Sequence, residues 1–126
     1  MSDRIMQLTT FEIHEGRLSQ FKDSIDKGVA FAEANGSQLM VEVYLDERAM
    51  RAHSCQIYAD SASILAHWAL ADSHIQSVME HCTLKRLDVY GKPSEAVLAG
   101  IAPLRMQGVE VTVTPSFVGF GRFRSG

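Results

Sequence analysis

Three of the five histidines, His67, His74 and His81, recur every seven residues in QIYADSASILAHWALADSHIQSVMEHC (residues 56–82), and Trp68 stands beside the first. An imidazole titrates near neutrality, so it can take a proton, ligate a metal or simply hydrogen-bond on a helix face. Spacing argues against a shared metal. Seven residues of continuous helix rise roughly 10.5 Å, whereas zinc–nitrogen bonds are roughly 2.0–2.1 Å, so an i,i+7 pair cannot hold one ion. Elsewhere no His, Cys or carboxylate pair has ligand spacing, and no metal is expected. His81 reads as a hydrogen-bonded imidazole on a helix face. His67 and His74 stay open between that role and proton transfer. His53 has the opposite parity to Tyr58 in its strand and faces the other side of the sheet. His14 lies at a strand end, and Glu42 is expected to pair with Arg51 across a hairpin.

The elements that must position these groups can be read from periodicity. Residues 4–13 (RIMQLTTFEI) form a strand. Over 15–35, Leu18, Phe21, Ile25, Val29 and Ala32 fall three or four apart, which is an amphipathic helix, and Gly36 stands where a left-handed stop would sit. Residues 38–45 alternate, the turn Asp46-Glu47-Arg48 follows, and 50–59 alternate again, which predicts a hairpin. Asp60 or Ser61 can cap a helix over 62–71, and Ser73 with Gln76 has the capping-box spacing to restart it. Residues 83–90 give a fourth strand. The order β-α-β-β-α-β is ferredoxin-like, in an α+β class. Leu8, Phe11, Met40, Tyr44 and Tyr58 put apolar groups on both sheet faces, so a second cover is needed, and a partner subunit is the simplest. Residues 1–92 form this domain. Residues 93–126 are an extension: a short helix capped by Ser94 and ended at Pro103, a strand at 109–114, then SFVGFGRF with three phenylalanines. This extension is expected to pack on the dimer partner.

Composition narrows the function classes. The chain has 126 residues, a formal net charge of −3 and no basic run, which disfavours nucleic acid and anionic membrane, where affinity comes from neutralising phosphates. The ferredoxin-like order also occurs in RNA-recognition domains, but their basic, aromatic third-strand motif is missing from RAHSCQIY (51–58). Gly119-Phe-Gly121 has no helix after it and is no dinucleotide loop. No stretch approaches the roughly 20 apolar residues of a membrane span, and the N-terminus lacks a signal-peptide core, so a cytoplasmic protein is expected. Cys55 and Cys82 read as free thiols. The ferredoxin strand order puts the first strand between theirs, beyond disulfide reach.

Over residues 4–91 the chain resembles the antibiotic-biosynthesis-monooxygenase group of the dimeric α/β-barrel superfamily. FEIHEGRLSQF is similar to that group's strand, glycine turn and helix, VEVYLD to its second strand, and QIYADSASILAHW with a later DSH to its third strand and following helix. The resemblance implies homodimers whose sheets close a barrel, with a pocket between sheet and helices. It also implies, for several members, oxidation of polycyclic phenols or quinols by O₂ with neither metal nor flavin. His67 and His74 match positions near that pocket. Gln56 replaces the group's strand-three carboxylate and Tyr58 its tryptophan. Thr9 stands where the haem-degrading branch has asparagine, and that branch's helix histidine falls near Val78 or Met79, so haem is not expected.

A cofactor-independent oxygenase need only bind an electron-rich arene, exclude water, favour loss of a proton and stabilise the anion. His67, His74 and Tyr58 are therefore the expected catalytic groups, with Trp68, Tyr44, Thr9 and Phe11 lining the substrate. No cofactor is expected, and the partners are a second copy of the chain and an aromatic small molecule. The alternatives are a non-catalytic dimeric binding protein with an apolar pocket and, third, an isomerase or lyase using a pocket base.

Overall fold

The computed structural model describes residues 3–123. In chain order the elements are β1 (Ile5–Ile13), α1 (Leu18–Asn35), β2 (Met40–Asp46), β3 (Arg51–Tyr58), α2 (Ser61–Leu70), α3 (Asp72–Met79), β4 (Cys82–Tyr90), α4 (Glu95–Met106) and β5 (Glu110–Thr114). The five strands lie in the order β2-β3-β1-β4-β5. The first four pair antiparallel, which is the ferredoxin-like order, and β5 pairs parallel with β4. A parallel neighbour needs a crossover connection, and α4 supplies it, so β4-α4-β5 is a βαβ unit built onto the sheet's edge. Residues 95–114 are thus part of this subunit's own fold. The extension's helix and strand pack on this subunit's own sheet and core.

Alternation sorts the strands into two faces. The helices cover the face carrying Ile5, Gln7, Thr9, Phe11 and Ile13 of β1. At one end of it Ile5, Tyr58, Ile64, Leu87, Val89, Val97 and Ile101 form a buried cluster. At the other end Ile13, Phe21, Ala52, Val78 and Cys82 form a second. Between the clusters the paired strands carry a different chemistry: Gln7 lies opposite Gln56 and Thr9 opposite Ser54. These four polar side chains make a square in the middle of a helix-covered face, and α1 passes it with small residues, Gly28 and Ala32. Apolar packing closes both ends and leaves the centre open.

The other face has no helix over it. It carries Met6, Leu8, Met40 and Ile57, all half-buried, with Tyr44 at 57% and Tyr90 at 38% exposure. Phe11 and Tyr58 belong to the helix-covered face, so the apolar groups do divide between both sides.

Several local expectations change. Gly36 is extended, at φ −83° and ψ 171°, not left-handed. Its N–H still closes the helix on the Ala32 carbonyl at 2.7 Å. Asp60 caps α2 by accepting from Ser63 N, but α3 starts at Asp72 with no side-chain cap, and Gln76 donates to Asp72 rather than to a serine box. Ser94 caps α4 as expected, yet the helix runs through Pro103 to Met106. Glu42 lies opposite Cys55, and Asp46 opposite Arg51, so the hairpin register leaves no Glu42–Arg51 pair. Cys55 and Cys82 are free, on strands separated by β1.

Candidate active site

The opening between the clusters is a cavity of about 620 Å³, within the range of pockets that hold a small organic molecule. Its floor is the polar square of β1 and β3. Its walls are Ile25, Gly28 and Val29 of α1, Trp68 of α2, His74 and Ile75 of α3, and Gly100, Ile101 and Leu104 of α4. The extension therefore shapes the pocket. The six-membered ring of Trp68 packs against α4 at Gly100: a methyl placed there would lie 2.9 Å from Cη2 and closer still to Cζ3. Only a glycine lets the indole pack on that helix backbone.

Polar groups at one end of the cavity form a chain. Tyr58, fully buried, donates its hydroxyl to Gln56 Oε1. Gln56 Nε2 donates to Ser54 Oγ at 3.2 Å. Gln38, just ahead of β2, reaches over with its amide 3.5 Å from Gln56 Oε1 and 2.9 Å from His67 Nδ1. Gln38 Oε1 is buried with no hydrogen-bond partner among the described residues. Burial pushes the Tyr58 hydroxyl far up from its ordinary value and lowers the His67 imidazole, because a low-dielectric site disfavours the charged form of each. At neutral pH both are uncharged. Among the described residues the cavity lining contains no Lys, Arg or Glu; its titratable groups are Tyr58, His67, Asp72 and His74.

Of the residues expected from the sequence, His67, His74, Tyr58, Trp68, Thr9 and Phe11 line this one cavity. Tyr44 does not. It points from the open face of the sheet into solvent, because the β2–β3 register pairs it with His53. His74 stacks on Phe31, ring centroids 4.5 Å apart. His81 is elsewhere, its Nδ1 3.4 Å from Arg17 Nη1. The heptad ladder dissolves because Ala71 breaks the helix between its first two members. Among the described residues no group of three His, Cys, Asp or Glu side chains is placed to hold a metal. The sequence reading missed Gln7 and Gln38 and the α4 wall. Gln7 carried a signal in its parity, which it shares with Ile5 and Ile13, buried residues of the same strand.

The fold and cavity define an α+β domain with the architecture of the antibiotic-biosynthesis-monooxygenase-like proteins, a pocket lying between sheet and helices. Solved structures share that fold. MupZ from Pseudomonas fluorescens superposes with a TM-score of 0.76 at 19% identity over 96% of each chain. SnoaB, a cofactor-independent oxygenase from Streptomyces nogalater, gives 0.62 at 10% identity over 74% of this chain and 96% of that one. A candidate antibiotic biosynthesis monooxygenase from Caulobacter crescentus gives 0.61 at 10% identity over 70% of this chain and 88% of that one. The last two shares are about that of the βαββαβ unit, whereas MupZ matches nearly the whole length. No protein-family model matches the sequence, and no curated protein does. No helix among the described residues is long and apolar enough to cross a membrane.

Proposed function

We propose that the protein is a cofactor-independent monooxygenase of the cytoplasm, acting as a homodimer on an uncharged aromatic or quinol-like molecule. One observation carries the reading: a cavity with largely apolar walls has at one end a polar chain that includes both His67 and Tyr58. A lining without Lys or Arg favours a neutral ligand, since a buried anion there would be uncompensated. Once His67 takes the ligand's acidic proton, the anion and imidazolium balance one another, and hydroxyl and amide donors stabilise the developing oxyanion. The electron-rich anion passes one electron to O₂. The resulting radical and superoxide combine at a ring carbon that bears hydrogen; the imidazolium returns its proton to the peroxide anion, and the hydroperoxide loses water as its C–H and O–O bonds break, leaving one oxygen atom as a new carbonyl. Trp68 and Phe11 pack on the rings, with Thr9 beside them. His74, stacked on Phe31, belongs to the same wall.

The fold shared with SnoaB, itself a cofactor-independent oxygenase, supports the reaction class. The test is O₂ uptake with a panel of hydroxylated polycyclic arenes, run beside equilibrium binding of the same compounds. Uptake that His67→Ala abolishes while binding persists supports the oxygenase. Binding without uptake across the panel would instead make the protein a carrier of such molecules.

A further inference from the structure

Gln7 stands on the middle strand of the sheet with its amide unclaimed. The residue is 7% exposed, and what remains open faces the cavity that it lines. Across β4 its neighbour is Val89, apolar and fully buried. Across β3 it is Gln56, whose amide is engaged elsewhere: Oε1 accepts the Tyr58 hydroxyl and Nε2 donates to Ser54 Oγ. No side-chain hydrogen bond joins Gln7 to any of the described residues. Its amide is not sealed off either, because the only sealed and unpartnered side-chain atom among them is Gln38 Oε1. Beside it on the same face, the Thr9 hydroxyl is likewise without a partner among the described residues. Ser54, having accepted from Gln56, keeps its own hydrogen to donate. An apolar residue at position 7 would simply join Ile5, Leu87 and Val89 in the cluster at that end. An amide in that place is costly unless something in the cavity bonds it.

We propose that Gln7, with the hydroxyls of Thr9 and Ser54, forms a second polar subsite that binds a carbonyl or hydroxyl oxygen of the ligand, so that the cavity selects an uncharged aromatic carrying two oxygen functions over a simple phenol. The chemistry of the three side chains sets the class. The amide offers an acceptor and two donors, Thr9 one of each, and Ser54 a donor. None is charged, so a carboxylate there would be buried without a cation, whereas a neutral carbonyl or hydroxyl finds both kinds of partner. The position sets the spacing. One strand interval, roughly 4.8 Å, separates β1 from β3, so Gln7 lies one strand away from Gln56. From Gln56 the polar chain leads to Tyr58 and, through Gln38, to His67. A single ring system can span the two groups, its acidic hydroxyl toward the polar chain and its second oxygen on Gln7.

This inference rests on the reading of the cavity as an aromatic-binding site, and its test needs no turnover. Binding is measured by calorimetry in the absence of oxygen, for 1-naphthol and its 4-, 5- and 7-hydroxy derivatives. At least one derivative should bind about tenfold more tightly than 1-naphthol, the worth of one good hydrogen bond. Gln7→Leu should erase that difference while 1-naphthol still binds. Because the amide has no partner within the protein, the same substitution should leave the denaturation midpoint unchanged or raise it. A lowered midpoint would mean that the protein itself holds the amide, and would overturn the proposal. Independently of any variant, the Gln7 side-chain amide protons of the ¹⁵N-labelled parent should exchange with solvent more slowly under saturating tight derivative than under saturating 1-naphthol. Equal exchange would overturn it. Derivatives that bind no tighter than 1-naphthol would show that Gln7 meets solvent alone, sinking the proposal and leaving the aromatic site standing. If none of these compounds binds, the reading of the cavity fails and the proposal fails with it.

Discussion

His67 is held neutral by burial, and that has a direction with pH. Its folded pKa lies below the ordinary value of about 6.5, so the unfolded chain binds more protons in the window between the two. The contribution to stability is present above about 6.5 and is lost as pH falls through the folded value. His67→Gln should flatten that acid limb in chemical-denaturation midpoints recorded against pH, and an unchanged limb would mean that other groups dominate it. Under the proposed function, the same depression keeps His67 unprotonated, so turnover should stay level across neutral pH and decline only on the acid side. Tyr58→Phe removes the hydroxyl that donates to Gln56 from one end of the polar chain. Because Gln56 Oε1 retains only the long 3.5 Å contact from Gln38, the loss should be about 1 kcal/mol, read as a lowered denaturation midpoint with unchanged slope.

At the scale of elements, residue pattern spoke where one face is buried and was silent where register decides. The three-to-four spacing of Leu18, Phe21, Ile25 and Val29 was enough for α1, and alternation was enough for β2 and β3. Tyr44 and Tyr58 were nonetheless expected to share a pocket. Their faces depend on the loop between the strands, since a slip of one residue exchanges the two faces of a strand, and the observed register sets Met40 opposite Ile57. Gln38 and α4 were invisible for another reason: both reach the site only through tertiary packing. The Gly100 contact tests that packing. Gly100→Ala gains roughly 1 kcal/mol of helix propensity but drives a methyl into Trp68. The indole should move toward the cavity, changing the emission of the chain's single tryptophan and weakening ligand binding by about tenfold, ~1.4 kcal/mol. Unaltered emission and affinity would show that α4 yields instead. The added strand is tied by Asp88, which accepts from Arg86 and Thr112, while Arg86 also pairs with Glu110 at 2.7 Å. The Arg86 hydrogen bond holds the Asp88 carboxyl below its usual range, so this stabilisation is present at neutral pH and lost as pH falls through that lowered value. Asp88→Asn should cost about 1–3 kcal/mol at neutral pH, with the difference from the parent vanishing in strong acid.

For the whole molecule, the decisive feature is that one sheet face packs helices and the other packs nothing of its own. Met6, Leu8, Met40 and Ile57 are only half-covered there, and the tail beside β5 leaves Phe117 at 97% and Phe120 at 82% exposure. Adjoining exposed apolar groups of this kind mark interaction surfaces, and a two-fold pairing of sheets would bury the open face on both copies at once. The tail contacts its own subunit through Arg4, whose guanidinium sits 5.2 Å from the Phe123 ring centroid; Arg122 lies 4.9 Å from the Phe120 ring centroid, and Phe117 is left uncovered. Ile57→Lys tests the pairing cleanly. In a monomer the lysine stem lies along the apolar face with its ammonium in water, so folding should be little affected, whereas in a closed dimer the charge is buried without a partner and association should fail. Sedimentation velocity should show a dimer for the parent chain and a folded monomer for the variant, with circular dichroism unchanged. Because the cavity lies on the helix-covered side of the sheet, the monomer should still bind an aromatic ligand. A parent chain that sediments as a monomer would leave the open face to some other cover, and the dimeric part of the proposed function would fall with it.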